Sequence, residues 1–211
     1  MNPSTRGQTT IWPARSSADD PSPGSHWLSR ALCLRYVLTD FRTLHLPVRD
    51  GSQVKHVPWR WALGMFKQAE YELLGAWPLH VPLPAVLDEL HDRGIEQIKA
   101  VSADGGVDCT STYPDAVAWS ASSDPDAPSS FGPRRRAALL SATASAERLQ
   151  ASLTRAIKRR APFADEGAAV AFLMHALENA DRQLQGLPKR RFKTPLRRSR
   201  ALGAPASQQA A

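Results

Sequence analysis

The chain has 211 residues, 42% of them apolar, which suits one core of ordinary size with flanking tails. No run of about 18 apolar residues exists, which excludes a transmembrane helix, and residues 1–25 lack the apolar stretch of a secretory signal, so a cytoplasmic location is expected. The net charge of +7 is local: residues 182–211 hold eight basic and no acidic residues, leaving 19 basic against 20 acidic elsewhere.

Ten of the 17 prolines fall in residues 1–25, 120–133 and 186–211, together with many Ser, Gly and Ala. Such segments bury too little apolar surface to offset the entropy of ordering them. The sequence therefore predicts a disordered 1–26, a first folded block over 27–119, a Pro/Ser linker at 120–133, a helical block over 134–185 and a basic disordered tail at 186–211. The linker is also the expected first site of limited proteolysis.

In chain order, residues 31–40 run apolar as a buried strand does, and strand character continues through Leu44 and Leu46 to a hairpin signal at Asp50-Gly51. A second strand over 54–66 carries Pro58, which favours an edge or a bulge. A third covers 70–77, completing an antiparallel meander. Val86, Leu87 and Leu90 mark a helix over 83–93 that Gly94 stops. A strand over 95–103 follows, so the meander continues into an α/β sheet with at least one crossover. Pro114 opens a short helical patch to Trp119. Helices are then expected over 138–160 and from the N-cap Asp165 to Gly186.

Cys33 and Cys109 lie far apart without a CxxC, and the six histidines form no HxxxH pair, so neither a disulfide framework nor a zinc site is expected. The basic tail is an electrostatic handle for nucleic acid or an anionic membrane surface, or else a solubilising segment with no dedicated partner.

Three carboxylates stand out by position. Asp40 ends the first predicted strand, and Asp104 ends the strand after the crossover. If those strands are neighbours, both carboxylates emerge at one edge of the sheet. Glu147 lies on the long helix, opposite the stripe of Leu149, Leu153, Ala156 and Ile157. It shares its side with Gln150, Thr154, Arg155 and Lys158. Two strand carboxylates and one helix carboxylate suit two divalent ions about 3.5–4 Å apart, the arrangement for in-line phosphoryl displacement.

Several stretches add a family resemblance. They are Leu73-Leu74-Gly75-Ala76-Trp77, the run from Val86 through Asp92-Arg93-Gly94-Ile95, and Ser102-Ala103-Asp104-Gly105. Together with residues 37–51 upstream and 134–179 downstream, they resemble the catalytic core of Mutator-type bacterial insertion-sequence transposases. Leu149, Leu153, Lys158, Arg160, Phe163, Ala168, Ala169 and Asn179 fall in register within the last stretch. The resemblance implies an α/β, ribonuclease-H-like mixed sheet with flanking helices and a catalytic, metal-holding DDE triad of Asp40, Asp104 and Glu147. It implies Mg²⁺ or Mn²⁺ as cofactor and DNA as partner, with no membrane association, and leaves self-association on DNA open. Only 43 positions separate Asp104 from Glu147, fewer than in family members, and the Pro/Ser segment stands where they carry an insertion. The chain thus corresponds to a truncated, internally deleted member, with an incomplete core.

Three functions remain in view. The first is a DNA transposase working by two-metal phosphoryl transfer. The second is a non-catalytic DNA-binding remnant. Its contacts would be Arg155, Lys158, Arg159 and Arg160 on the helix, and Lys189, Arg190, Arg191, Lys193, Arg197, Arg198 and Arg200 in the tail. The third is an interaction module without a nucleic-acid role. Metal-dependent nicking separates the first from the second, and salt-sensitive DNA binding separates the second from the third.

Overall fold

Successive side chains along a strand point to opposite faces, so the two long strands within residues 38–67 present two different faces, and this decides how the rest of the chain packs. The computed structural model describes residues 25–67, 70–103, 111–120 and 131–186. Its elements are α1 (Ser25–Leu28), β1 (Arg35–Tyr36), β2 (Leu38–Asp50), β3 (Gln53–Lys67), β4 (Glu70–Pro78), α2 (Leu83–Asp92), β5 (Gln97–Ile98), β6 (Ala100–Ala103), β7 (Val117–Ala118), α3 (Pro133–Arg160) and α4 (Glu166–Leu184).

The architecture is mixed α/β. Five strands form a mixed sheet in the order β4-β3-β2-β6-β7. The β2–β3 and β3–β4 pairs are antiparallel, whereas β6 runs parallel to β2 and β7 parallel to β6. The meander and the crossover through α2 are thus as the sequence predicts. Asp50 pairs with Gln53 across a two-residue loop whose first residue, Gly51, has φ of +60°. Only glycine adopts that conformation without steric cost, and it matches the twist of the flanking strands.

β1 and β5 form a separate parallel pair, Arg35 opposite Gln97 and Tyr36 opposite Ile98. The same register resumes with Thr39 opposite Val101. The two predicted strands, 31–40 and 95–103, are therefore one ladder interrupted at residues 37 and 99, where Val37 N–H turns away to Met65 C=O while Lys99 N–H still reaches Tyr36 C=O across the pair. Pro58 lies inside β3, a central strand, and not at an edge. Its C=O accepts from Leu79 N–H at 3.1 Å, so the side lacking an N–H faces the point where β4 ends.

One face of the sheet, carrying Leu44, Leu46, Trp59, Trp61 and Leu63, packs against Leu153 and Ile157 of α3 and Leu173 and Leu177 of α4. The other, carrying Phe41, Ala62, Leu74 and Trp77, packs against Val86, Leu87 and Leu90 of α2. Gly64 on β3 leaves room for the Tyr36 ring: a Cβ there would lie 2.6 Å from Tyr36 Cδ1 and 2.9 Å from Leu74 Cδ2. The outer strand β4 is closed by side chains. Leu73 N–H donates to Asp181 Oδ1 at 2.8 Å, while Arg30 donates to Leu73 C=O at 2.8 Å and Arg93 to Leu74 C=O at 2.6 Å. Such blocking removes a template for intermolecular strand pairing.

Three boundaries differ from the sequence expectation. Residues 114–119 are not helical: Ala116 N–H donates to Tyr113 C=O across a turn with Pro114 at its second position, and Val117–Ala118 then extend as β7. Proline presets φ equally for a first helical turn and for this turn position, and pairing with Ala100 and Val101 decides between them. The long helix starts at Pro133, not at 138, since proline at N1 costs no hydrogen bond. Phe131 is buried, so the linker's far end belongs to the folded body. The rest of the segments expected to be disordered, namely 1–24, 121–130 and 187–211, lie outside the described residues. Among those described, no helix is long and apolar enough to cross a membrane.

Candidate functional site

Asp40 is the third residue of β2, a strand that continues to Asp50, and it is buried. The sequence expectation of a strand end is corrected here: Asp40 sits inside the ladder, opposite Ser102 of β6. Alternation puts Leu38, Asp40, Arg42 and Leu44 on the face that α3 covers, and Phe41 on the other. Arg42 reaches back along the strand and grips Asp40 with two bonds, Nε to Oδ1 at 3.0 Å and Nη2 to Oδ2 at 3.1 Å. Fork-to-carboxylate pairing of this kind fixes orientation as well as charge. A buried carboxylate stripped of such a partner costs about 3–5 kcal/mol.

Glu147 is exposed on α3, with Oε1 at 3.8 Å from Nη2 of the same Arg42. Two of the three sequence-selected carboxylates therefore converge on one guanidinium. The helix is held there by Gln150, whose amide donates to Thr43 C=O at 2.6 Å and accepts from Trp61 Nε1 at 2.7 Å. The helical-wheel expectation put Gln150 on the solvent side with Glu147. It lies instead against the sheet, because a half-buried flank of a long helix can satisfy strand carbonyls and an indole that apolar side chains cannot.

Asp104 lies outside the described residues. It follows directly on Ala103, the last residue of β6, which pairs with Phe41. Among the described residues, no group of three or more His, Cys, Asp or Glu is placed to hold a metal ion. Asp40 and Glu147 supply hard oxygen donors, the chemistry that Mg²⁺ and Mn²⁺ prefer. The point on which they converge is held by Arg42.

Arg155, Lys158, Arg159 and Arg160 are exposed near the C-terminal end of α3. Three of them complete the last turn, where cations also complement the helix dipole. The Arg160 guanidinium lies 6.0 Å from the centre of the Phe172 ring. The tail cations Lys189, Arg190, Arg191, Lys193, Arg197, Arg198 and Arg200 lie outside the described residues.

Sequence reasoning passed over two features. Arg42 carried a readable signal, since a basic residue two positions after a strand aspartate shares its face. The second is a polar cluster at the β4 edge. Arg30 bonds Glu72 at 3.0 Å and pairs with Asp181 at 3.2 Å, while Asp181 accepts from Trp27 Nε1 at 3.0 Å. The Tyr36 hydroxyl donates to Glu72 Oε1. Burial, then the adjacent Glu72 carboxylate, pushes the Tyr36 hydroxyl and the Cys33 thiol above their usual pKa ranges. No local spacing announces this cluster, whose partners lie up to 154 positions apart.

Compared with known proteins, the chain matches no family model and no curated sequence.

Proposed function

We propose that the chain is a Mutator-type transposase, with a ribonuclease-H-like core that cleaves DNA and transfers strands through Asp40, Asp104 and Glu147. The observation that carries this reading is the juxtaposition around β2. Asp40 faces α3, β6 runs parallel beside it, and Glu147 approaches the guanidinium that holds Asp40. The sheet supports it as well. A three-stranded antiparallel meander has its first strand central, and a parallel strand is added beside that one through a helical crossover. The resemblance expects the same placement for the first two aspartates.

In this reading the three carboxylates would hold Mg²⁺ or Mn²⁺, which stabilises charge on the attacking and leaving oxygens of an in-line phosphoryl transfer. The chain's own residues do the positioning. Gln150 fixes α3 against β2, and Arg155, Lys158, Arg159 and Arg160 meet the phosphates electrostatically. The test is nicking of supercoiled plasmid by the full chain with Mg²⁺ or Mn²⁺. Metal-dependent nicking that Asp40→Ala and Asp104→Ala both abolish is expected. Nicking that survives both substitutions would overturn the assignment.

A second reading is favoured by one observation: both Asp40 oxygens are already bonded to Arg42. On it, the chain is a non-catalytic DNA-binding protein whose affinity comes from α3 and the basic tail. Phosphate neutralisation releases counterions, so a slope of log affinity against log salt of about −4 to −6 is expected with the tail present. Removing residues 186–211 flattens that slope. DNA binding of this kind without nicking selects the second reading.

A further inference from the structure

The hairpin joining β2 to β3 outruns the sheet it belongs to. β6 pairs with β2 only as far as Phe41, and β4 pairs with β3 only from Trp59 onward. Residues 47–56 are therefore a two-stranded ribbon, and every residue from Arg49 to His56 is exposed. We infer that this ribbon is an arm that enters the major groove of duplex DNA, while the cations ending α3 meet the phosphates beside it. The inference rests on DNA as the partner, which both readings above share, and goes beyond them in placing contacts on the hairpin.

The ribbon has the dimensions of the groove. The major groove of B-DNA is about 12 Å wide and 8.5 Å deep and admits a two-stranded β-ribbon, whereas the minor groove, about 6 Å wide, is too narrow for one. Among the described residues, the last lateral support of the ribbon is Phe163, which bridges Val48. Arg49 N–H donates to Phe163 C=O and Phe163 N–H to Pro47 C=O, both at 2.9 Å. Past that bridge, Arg49, Asp50 and Gly51 extend about 7–10 Å at the ordinary strand rise, which matches the depth of the groove.

Its charges suit the groove walls. Opposed residues share a face, so Lys55 lies with Val48 on the α3 side and Arg49 with Val54 on the other. One cation thus faces each wall. Neither forms an ion pair among the described residues. Phe163 also ties the ribbon to α3, since Arg160, the last residue of that helix, is three positions before it and their Cα atoms are at most about 11 Å apart. This end of the molecule therefore joins Arg49 and Lys55 to Lys158, Arg159 and Arg160. Against them stand Asp50, Asp165 and Glu166, of which Asp165 is engaged as the N-cap of α4. The balance is positive. The tip, Asp50-Gly51-Ser52-Gln53, offers hydrogen-bonding groups of the kind that read base edges. It holds no aromatic or leucine side chain of the kind that enters a lipid surface.

The experiment measures binding of the full chain to a fluorescent duplex by anisotropy at several salt concentrations. It compares the wild type with Arg49→Gln/Lys55→Gln and with a control, Arg35→Gln/Lys67→Gln, which removes equal charge at the opposite end of the sheet. Each lost phosphate contact removes about 0.9 from the slope of log affinity against log salt, so the hairpin variant should flatten it by about 2 and lose at least about tenfold in affinity near 0.1 M salt. The control should change neither. A second measurement needs no substitution: a duplex whose major groove is filled by glucosylated hydroxymethylcytosine should bind the wild type more weakly and erase its advantage over the hairpin variant. Netropsin in the minor groove should leave that advantage intact. Equal losses in hairpin and control variants, or a wild type indifferent to the filled major groove, overturn the inference. So does a hairpin variant that binds duplex as the wild type does but loses binding to phosphatidylserine vesicles, which assigns the arm to a membrane. Hairpin-dependent binding with no nicking by any form overturns the catalytic reading and leaves the arm standing. Nicking by the wild type with no hairpin dependence of binding does the reverse.

Discussion

Gln150→Leu tests how α3 is fixed over β2, since it keeps the side chain's approximate volume while deleting both of its hydrogen bonds. In the native chain Trp61 is fully buried and donates its indole N–H to Gln150. After substitution that donor has no amide to meet, a loss worth about 1–3 kcal/mol. The lost bond to Thr43 C=O adds about 0.5–1.5 kcal/mol, and leucine returns roughly 1 kcal/mol by burying apolar surface. The net is a destabilisation of about 0.5–3.5 kcal/mol, which with a urea dependence near 2 kcal/mol per molar shifts the midpoint by about 0.3–1.8 M. Tryptophan fluorescence during urea unfolding reads it. Trp61→Phe removes the donor instead, so the double variant should cost less than the two singles added. A midpoint shift below about 0.3 M for Gln150→Leu would refute the claim that this amide docks the helix.

Two further substitution tests follow. Asp181→Ala strips Leu73 N–H, the Trp27 indole and Arg30 of a shared buried partner, so urea unfolding should show a loss of about 3–5 kcal/mol, and Asp181→Asn, which keeps one acceptor oxygen, a smaller one. The raised pKa values of Tyr36 and Tyr113, caused first by burial, mean that the native state holds their protons more tightly than the unfolded chain. Their contribution is complete below the unfolded pKa near 10. It declines as pH rises above that value, by up to about 1.4 kcal/mol per pH unit per tyrosine. Urea midpoints between pH 9 and 11 should therefore fall less steeply in Tyr36→Phe than in the wild type, and parallel declines would show that Tyr36 does not titrate as argued.

The strands were legible where one face alone meets the core. Leu44, Leu46 and Val48 alternate against polar neighbours, so β2 and its hairpin partner could be read from period and turn chemistry. Residues 114–119 were not legible, because proline, a small apolar run and a tryptophan suit a helical turn and a short strand equally. The pairing that decides lies on β6. At the site, Asp40 and Glu147 were selected, whereas Arg42, which joins them, was passed over although it was legible. The Arg42 grip needs only strand alternation, which local sequence contains. The side of α3 on which Gln150 falls depends on where the helix axis crosses the sheet, which no wheel reports. The Arg30–Glu72–Asp181 cluster joins three separate parts of the chain, and its members look like ordinary surface charges until the fold assembles them.

Two buried aromatic side chains, Trp119 and Phe131, bracket residues 121–130 in the sequence. Trp119 and Phe131 meet edge to face with ring centres 6.3 Å apart, and Trp119 Nε1 donates to Thr143 Oγ1 at 3.2 Å. A single side-chain contact thus ties the chain just before residue 121 to the chain just after residue 130, so that in loop-entropy terms the stretch is a closed excursion. Loop-closure entropy grows slowly, about 0.6 kcal/mol for each doubling of length, so this point tolerates either a long insertion or its loss. Replacing residues 121–130 by a Gly/Ser segment of equal length should leave the urea midpoint unchanged to within about 0.5 kcal/mol. Trp119→Ala should cost about 3–5 kcal/mol, since it empties a buried aromatic site. If the replacement costs more than about 1.5 kcal/mol, the segment itself packs on the core and the closed-excursion argument fails.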